Sequence, residues 1–215
     1  MREVHFVAER QGFQRVKQCF PALQKDVQQA LQELHHRYST TVRENRFVVG
    51  GATEIVLGAA FRACGVPVKH RGTQASTWDL IFENAHAGYS VKSMLKSTTT
   101  RLINVQGRSP QRSLWNTATL FLIPQGIIYA DPALPWWRAH RQTVIKVRSD
   151  ALEIRRKWVE TFSREHPDWW IPCDLALPRE TGDRRHVRTA SYDLAVQVLK
   201  DLGGTLFRHI PELLD

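Results

Sequence analysis

Apolar positions recur along this chain with two different periods. After Pro21, a residue suited to the first turn of a helix, Leu23, Val27, Ala30, Leu31, Leu34 and Tyr38 follow steps of three and four. That spacing predicts an amphipathic helix. A second is predicted over Ala52–Cys64, where Ile55, Val56, Ala59, Ala60 and Ala63 form the stripe, Gly50 and Gly51 precede it and Gly65 ends it. Glu54 then falls in the first turn, where the helix dipole favours any acid. Three runs of strand character follow, Val66–His70, Thr77–Glu83 and Gly88–Met94, the last two joined by Asn84-Ala85-His86-Ala87, a hairpin-length connection. Ala118–Ile123 and Ile127–Tyr129 form another apolar pair around the turn Pro124-Gln125-Gly126. Gln142–Val147 reads as a strand, and Ala151–Arg164 as a helix with Leu152, Arg155, Trp158, Val159 and Phe162 along one side. An irregular segment over 165–188 precedes a last helix at Ser191–Leu202. A helix, an antiparallel meander and further strands together predict an α/β fold with a mixed central sheet. The expected organisation is a helical segment over 1–45, a core over 46–148, and a helical and irregular extension over 149–215 packed on that core.

Composition narrows the class. Of 215 residues 42% are hydrophobic, too many for a disordered polycation, and runs such as Ala118–Pro124 fall short of the ~18–20 apolar residues that span a bilayer. No membrane span is expected. The N-terminal residues have no signal-peptide pattern and the three cysteines have no close spacing, so a cytoplasmic protein without a disulfide framework or zinc site is expected. Thirty Lys and Arg against 21 Asp and Glu leave a formal charge of +9, which points to a polyanionic partner, nucleic acid first.

The charge is unevenly distributed: sixteen bases face nine acids before Pro135, and fourteen face twelve from there on. From Asn84 to Ala130 there is no Asp or Glu, yet Lys92, Lys96, Arg101, Arg108 and Arg112 are present. Asn104, Gln106 and several serines and threonines complete a set that binds phosphate oxygens and repels none. This stretch is read as a phosphate-facing loop, the alternative being a loop whose bases pair with acids elsewhere in the chain.

Candidate chemistry lies beside it. An ionised Asp79 inside the predicted strand needs a cation, a metal or a hydrogen-bond network to offset its burial. The next strand carries Ser90-Val91-Lys92, which puts the hydroxyl and the ammonium on one face. Hairpin pairing brings Asp79 toward Lys92, and the preceding helix supplies Glu54. Two carboxylates and a lysine are what a metal-dependent phosphodiesterase uses: the carboxylates hold Mg²⁺, and the lysine positions water and offsets phosphate charge. A cross-strand ion pair between Asp79 and Lys92 is the plainer alternative.

Glu54 on a helix, followed by Asp79 and Lys92 in a β-meander, resembles the restriction-endonuclease-like, or PD-(D/E)xK, nuclease superfamily over roughly residues 45–130. The resemblance implies an αβββαβ core, here over 46–148, with Asp79 as motif aspartate, Lys92 as motif lysine and Glu54 as accessory helix acid. It implies a metal-dependent DNA endonuclease of restriction or defence type, using Mg²⁺ or Mn²⁺ and possessing a homodimer if both strands of a duplex are cut. The chain departs from the pattern at Trp78, where proline is usual, and at Ser90, where Asp or Glu is usual. The metal would then rest on Asp79, Glu54, the Val91 carbonyl and waters, with Asn104 or Gln106 nearby, while Lys96, Arg101, Arg108 and Arg112 grip the DNA backbone. The missing acid keeps open the alternative of a non-catalytic nucleic-acid-binding module with a decayed nuclease fold. Elsewhere, Glu83 is read as a solvated turn residue, His35-His36 as a surface pair, and Trp136-Trp137 and Trp169-Trp170 as anchors of a loop-rich region.

Overall fold

The computed structural model describes residues 6–71, 78–104, 115–148, 151–177, 185–186 and 188–213, with the side chains of Ile103 and Asn104 outside that description. Helices α1 (Val7–Cys19), α2 (Gln24–Arg37) and α3 (Arg43–Ala63) precede the strands β1 (Val68–His70), β2 (Leu80–Phe82), β3 (Gly88–Ser93), β4 (Thr99–Asn104), β5 (Ala118–Ile123) and β6 (Gly126–Ala130). Then come α4 (Pro135–Val144), β7 (Ile145–Val147), β8 (Ala151–Arg155), α5 (Arg156–Glu165), β9 (Trp170–Pro172) and α6 (Ser191–Leu202). The fold is α/β, and none of the described helices is long and apolar enough to cross a membrane.

The main sheet has the order β1-β2-β3-β5-β6-β9, mixed because β3 runs parallel to β5 while every other neighbour is antiparallel. Its middle strands β5 and β6 are buried at every position, as their unbroken apolar runs require. One face is covered by α1 and α3: the Tyr89 ring meets Phe61 of α3 at 5.1 Å, and Tyr129 meets Phe13 of α1 at 5.3 Å. On the opposite face Phe121 lies 6.5 Å from Trp137 of α4, which stacks on Phe162 of α5 at 4.9 Å. The Trp136-Trp137 doublet is therefore core, as expected, whereas Trp169 and Trp170 are half-buried, Trp169 against Tyr129.

Several boundaries differ from the sequence reading. Gly50 and Gly51 lie inside α3, which begins at Arg43, so Glu54 is mid-helix and the first-turn acid is Glu44. The glycines lower helix propensity by about 1 kcal/mol each. At Gly51 that cost accompanies close helix packing, since a Cβ there would lie 2.6 Å from the Ser191 hydroxyl of α6. The segment read as a helix over Ala151–Arg164 divides at Arg155 into β8 and α5, and the strand expected at Gln142–Val147 is strand only in its second half, β7, its first half being the end of α4. The acid-free stretch is also more than a loop. Its β4 pairs with β8 in a second sheet, ordered β4-β8-β7, and Arg101 stands opposite Glu153 in that ladder.

His35 is not on the surface. It is 6% exposed on α2 beside Leu31 and Leu34, neither ring nitrogen has a hydrogen-bond partner among the described residues, and of the pair His36 faces solvent. Burial, with the Lys96 charge nearby, pushes the imidazole down from 6.5 to about 4. The unfolded chain therefore takes up this proton at a higher pH than the folded one, and acid favours unfolding. Stability is expected to fall by about 3 kcal/mol as pH drops from about 6.5 to about 4. Denaturant titrations across that range should show this slope in the wild type and its loss in His35→Leu; parallel profiles would show that another group carries it.

Candidate active site

The site forms where β1 and β2 end beside the middle of β3. Asp79 sits immediately before β2 rather than within it, but its amide continues the ladder by donating to the Tyr89 carbonyl at 2.8 Å. That pairing places the Asp79 side chain next to Ser90. One carboxylate oxygen, Oδ2, accepts the Val91 amide at 2.6 Å and the Ser90 hydroxyl at 3.2 Å. Asp79 thus turns to Ser90 and Val91 and forms no ion pair with Lys92. Ser90 and Lys92 alternate with Tyr89, whose ring faces α3, and so project to the other side of the sheet.

Glu54 approaches from α3. Its Oε2 lies 3.0 Å from Nε2 of His70, the last residue of β1, and the two side chains are 21% and 7% exposed. Burial raises the Glu54 carboxyl above its usual range, and the Asp79 charge raises it further. The hydrogen bond from His70, the charge of His70 and that of Lys92 act in the opposite direction. Glu54 is thus hydrogen-bonded to His70, and the next residue, Arg71, donates its amide to the Asp79 carbonyl at 3.1 Å, so adjoining strands place the two carboxylates at one end of the sheet. Of the residues selected from sequence, the structure links Asp79 to Ser90 and Val91 by hydrogen bonds and Glu54 to Asp79 and Lys92 by charge.

His70 is the group that sequence reasoning missed. Its signal was available: it shares strand parity with the buried Val68, so it had to face α3. What it meets there depends on how α3 lies over the sheet. Glu83 takes no part in the site, because its carboxylate is ion-paired with Arg62 at 2.6 Å.

Of the expected phosphate contacts, Lys96 is exposed in the turn after β3, and Arg101 is exposed on β4. Gln106, Arg108 and Arg112 lie outside the described residues, as does the Asn104 side chain. Among the described residues no three His, Cys, Asp or Glu side chains already form an ion-binding group. Metal-binding capacity thus rests on the two carboxylates: among the described residues Asp79 has Oδ1 outside its hydrogen bonds and Glu54 has Oε1. Carboxylate, carbonyl and water ligands suit Mg²⁺ and Mn²⁺. Comparisons with protein-family models, with curated proteins and with solved structures find no match to this chain.

Proposed function

We propose that this protein is a metal-dependent DNA endonuclease with a restriction-endonuclease-like core. The observation that carries the reading is the placement of two carboxylates at one end of the β2–β3 pair: Glu54 held by His70 at 3.0 Å, and Asp79 held by Ser90 and Val91, the two residues before Lys92. The order of elements supports it as far as β3, with α3 leading into three antiparallel strands, and again at β5, which pairs in parallel with β3. Between β3 and β5 the described residues contribute β4 in place of the expected helix.

Asp79 and Glu54 would hold the ion, with the Val91 carbonyl and waters completing a set that Mg²⁺ tolerates because it keeps several waters. The bound ion would polarise the phosphate and acidify a coordinated water. His70 fixes the Glu54 carboxylate by hydrogen bonding one oxygen, and the Ser90 hydroxyl and Val91 amide do the same for Asp79. Lys92 supplies positive charge against the phosphate. Lys96, Arg101, Arg108 and Arg112 are proposed as backbone contacts, and cutting of both duplex strands would call for a dimer.

Supercoiled plasmid incubated with Mg²⁺ or Mn²⁺ should be cleaved by the wild type and not by Asp79→Ala. Equal cleavage by both would assign the activity to a contaminant. A second reading, a DNA-binding module with a decayed site, draws on the Ser90 hydroxyl, which occupies the motif-acid position and bonds to Asp79. Salt-dependent DNA binding without metal-dependent cleavage would favour it.

A further inference from the structure

Helix α3 continues well past the site. Arg43, Phe47, Gly50 and Glu54 fall within ~60° of arc on one face, and the same stripe continues through Leu57, Gly58 and Phe61. From Leu57 onward it is buried against the sheet, with Phe61 on Tyr89 and Gly58 close to Leu80. At Glu54 the stripe reaches His70, where β1 ends. The rest of the helix, ~16 Å long, runs beyond that point to Arg43.

The overhang is open on that face and packed on the opposite one. Asn45, Val49 and Ala52, on the far side, are buried, and Gly51 packs on α6. Phe47, at a spacing that would otherwise make it core, is 65% exposed. Among the described residues nothing outside the backbone of α3 lies within 4 Å of where a Cβ on Gly50 would stand, so the helix surface is open at that position. Arg43 in the stripe and Arg46 at its edge are exposed; Arg46 donates a 3.4 Å hydrogen bond to the Thr40 carbonyl. The nearby acid, Glu44, points around the helix toward His186 at 3.6 Å.

An exposed aromatic beside two arginines, joined through the open position at Gly50 to a carboxylate site, has the chemistry that recognises a nucleic-acid strand: phosphates for the guanidiniums and a base for the ring. We propose that this overhang guides the DNA strand into the site, with Arg43 and Arg46 holding phosphates, Phe47 stacking on a base, and Gly50 allowing the strand to pass close to α3. The inference rests on the DNA-nuclease reading and adds to it a contact surface separate from the acid-free stretch.

The test is fluorescence anisotropy with short fluorescein-labelled single-stranded and duplex DNA, in EDTA so that no cleavage intervenes, on the full chain. Phe47→Ala should weaken binding roughly tenfold. Arg43→Ala combined with Arg46→Ala should reduce the slope of log affinity against log salt by about 2. Gly50→Leu gives readouts of opposite sign: it fills open space with a better helix former and should raise the melting temperature, yet it should weaken DNA binding. Because that variant is the more stable one, its lost binding cannot be attributed to unfolding. Wild-type affinity in all three variants, with the wild type binding normally, would overturn the overhang while leaving the nuclease reading intact. Failure of the wild type to bind either DNA at low salt would overturn both.

Discussion

Replacing Lys92 with alanine is expected to lower metal-dependent cleavage about a hundred- to a thousandfold while changing DNA affinity little. Lys92 is half-buried on β3, beside Phe121 of β5 in register, and its charge already acts on the Glu54 carboxyl. An ammonium held in that partly desolvated position requires little reorganisation when negative charge builds on a phosphate, which is why removing it affects the rate more than ground-state binding. As a phosphate contact it represents at most about one unit of salt dependence. Single-turnover plasmid cleavage with wild type and Lys92→Ala, with affinity measured separately, distinguishes the two effects. A rate within a few-fold of wild type would reduce Lys92 to a counter-ion for the two carboxylates.

The second large effect is expected far from the site. Asp131 follows β6 and is fully buried. Its Oδ2 accepts Arg10 Nε and the Tyr129 hydroxyl, each at 2.8 Å. Its Oδ1 accepts Arg10 Nη2 at 2.9 Å and the amides of Ala133 and Leu134 at 2.8 and 3.0 Å. The carboxylate ties α1 to the main sheet and organises the turn into α4. Asp131→Ala would leave a buried phenol and the Ala133 amide without an acceptor and a guanidinium without its partner, while the Leu134 amide keeps the backbone carbonyl of position 131 at 3.2 Å. We expect a loss of about 4 kcal/mol, read as a lower urea midpoint with unchanged slope. Arg10 is 33% exposed on its side chain, so Arg10→Ala should cost less, about 1–2 kcal/mol. Comparable small losses in the two variants would show that the Asp131 network relaxes onto water.

How much of this was legible depended on the distance over which each contact forms. Asp79 and Ser90 meet because only the short connection 83–87 separates β2 from β3, and pairing across so short a turn follows from local pattern. Helix α6 was predicted with its observed bounds, and β5 likewise, because each has a single period and no competing signal. Over 151–164 the single helix expected gives way to strand and helix because Leu152 and Ile154 alternate as in a strand, and the helical spacing begins only after Arg155. His35, expected on the surface with His36, is buried because it follows Leu31 by four residues and so lies on the apolar face of α2.

The amino-acid pattern by itself determined the α/β class, the basic character of the chain and the pairing of Asp79 with the strand that bears Lys92, since each is a property of composition or of neighbours along the chain. Only the tertiary structure decided that α3 extends back through Gly50 and Gly51 to Arg43, that His70 holds Glu54, and that β4 joins β8 across some fifty residues. It also decided that Phe47, spaced like a core residue, is left exposed. The physical reason is the same in each case. Periodicity specifies which face of an element is apolar, but which surface covers that face, and where the covering ends, depends on residues far away in the chain.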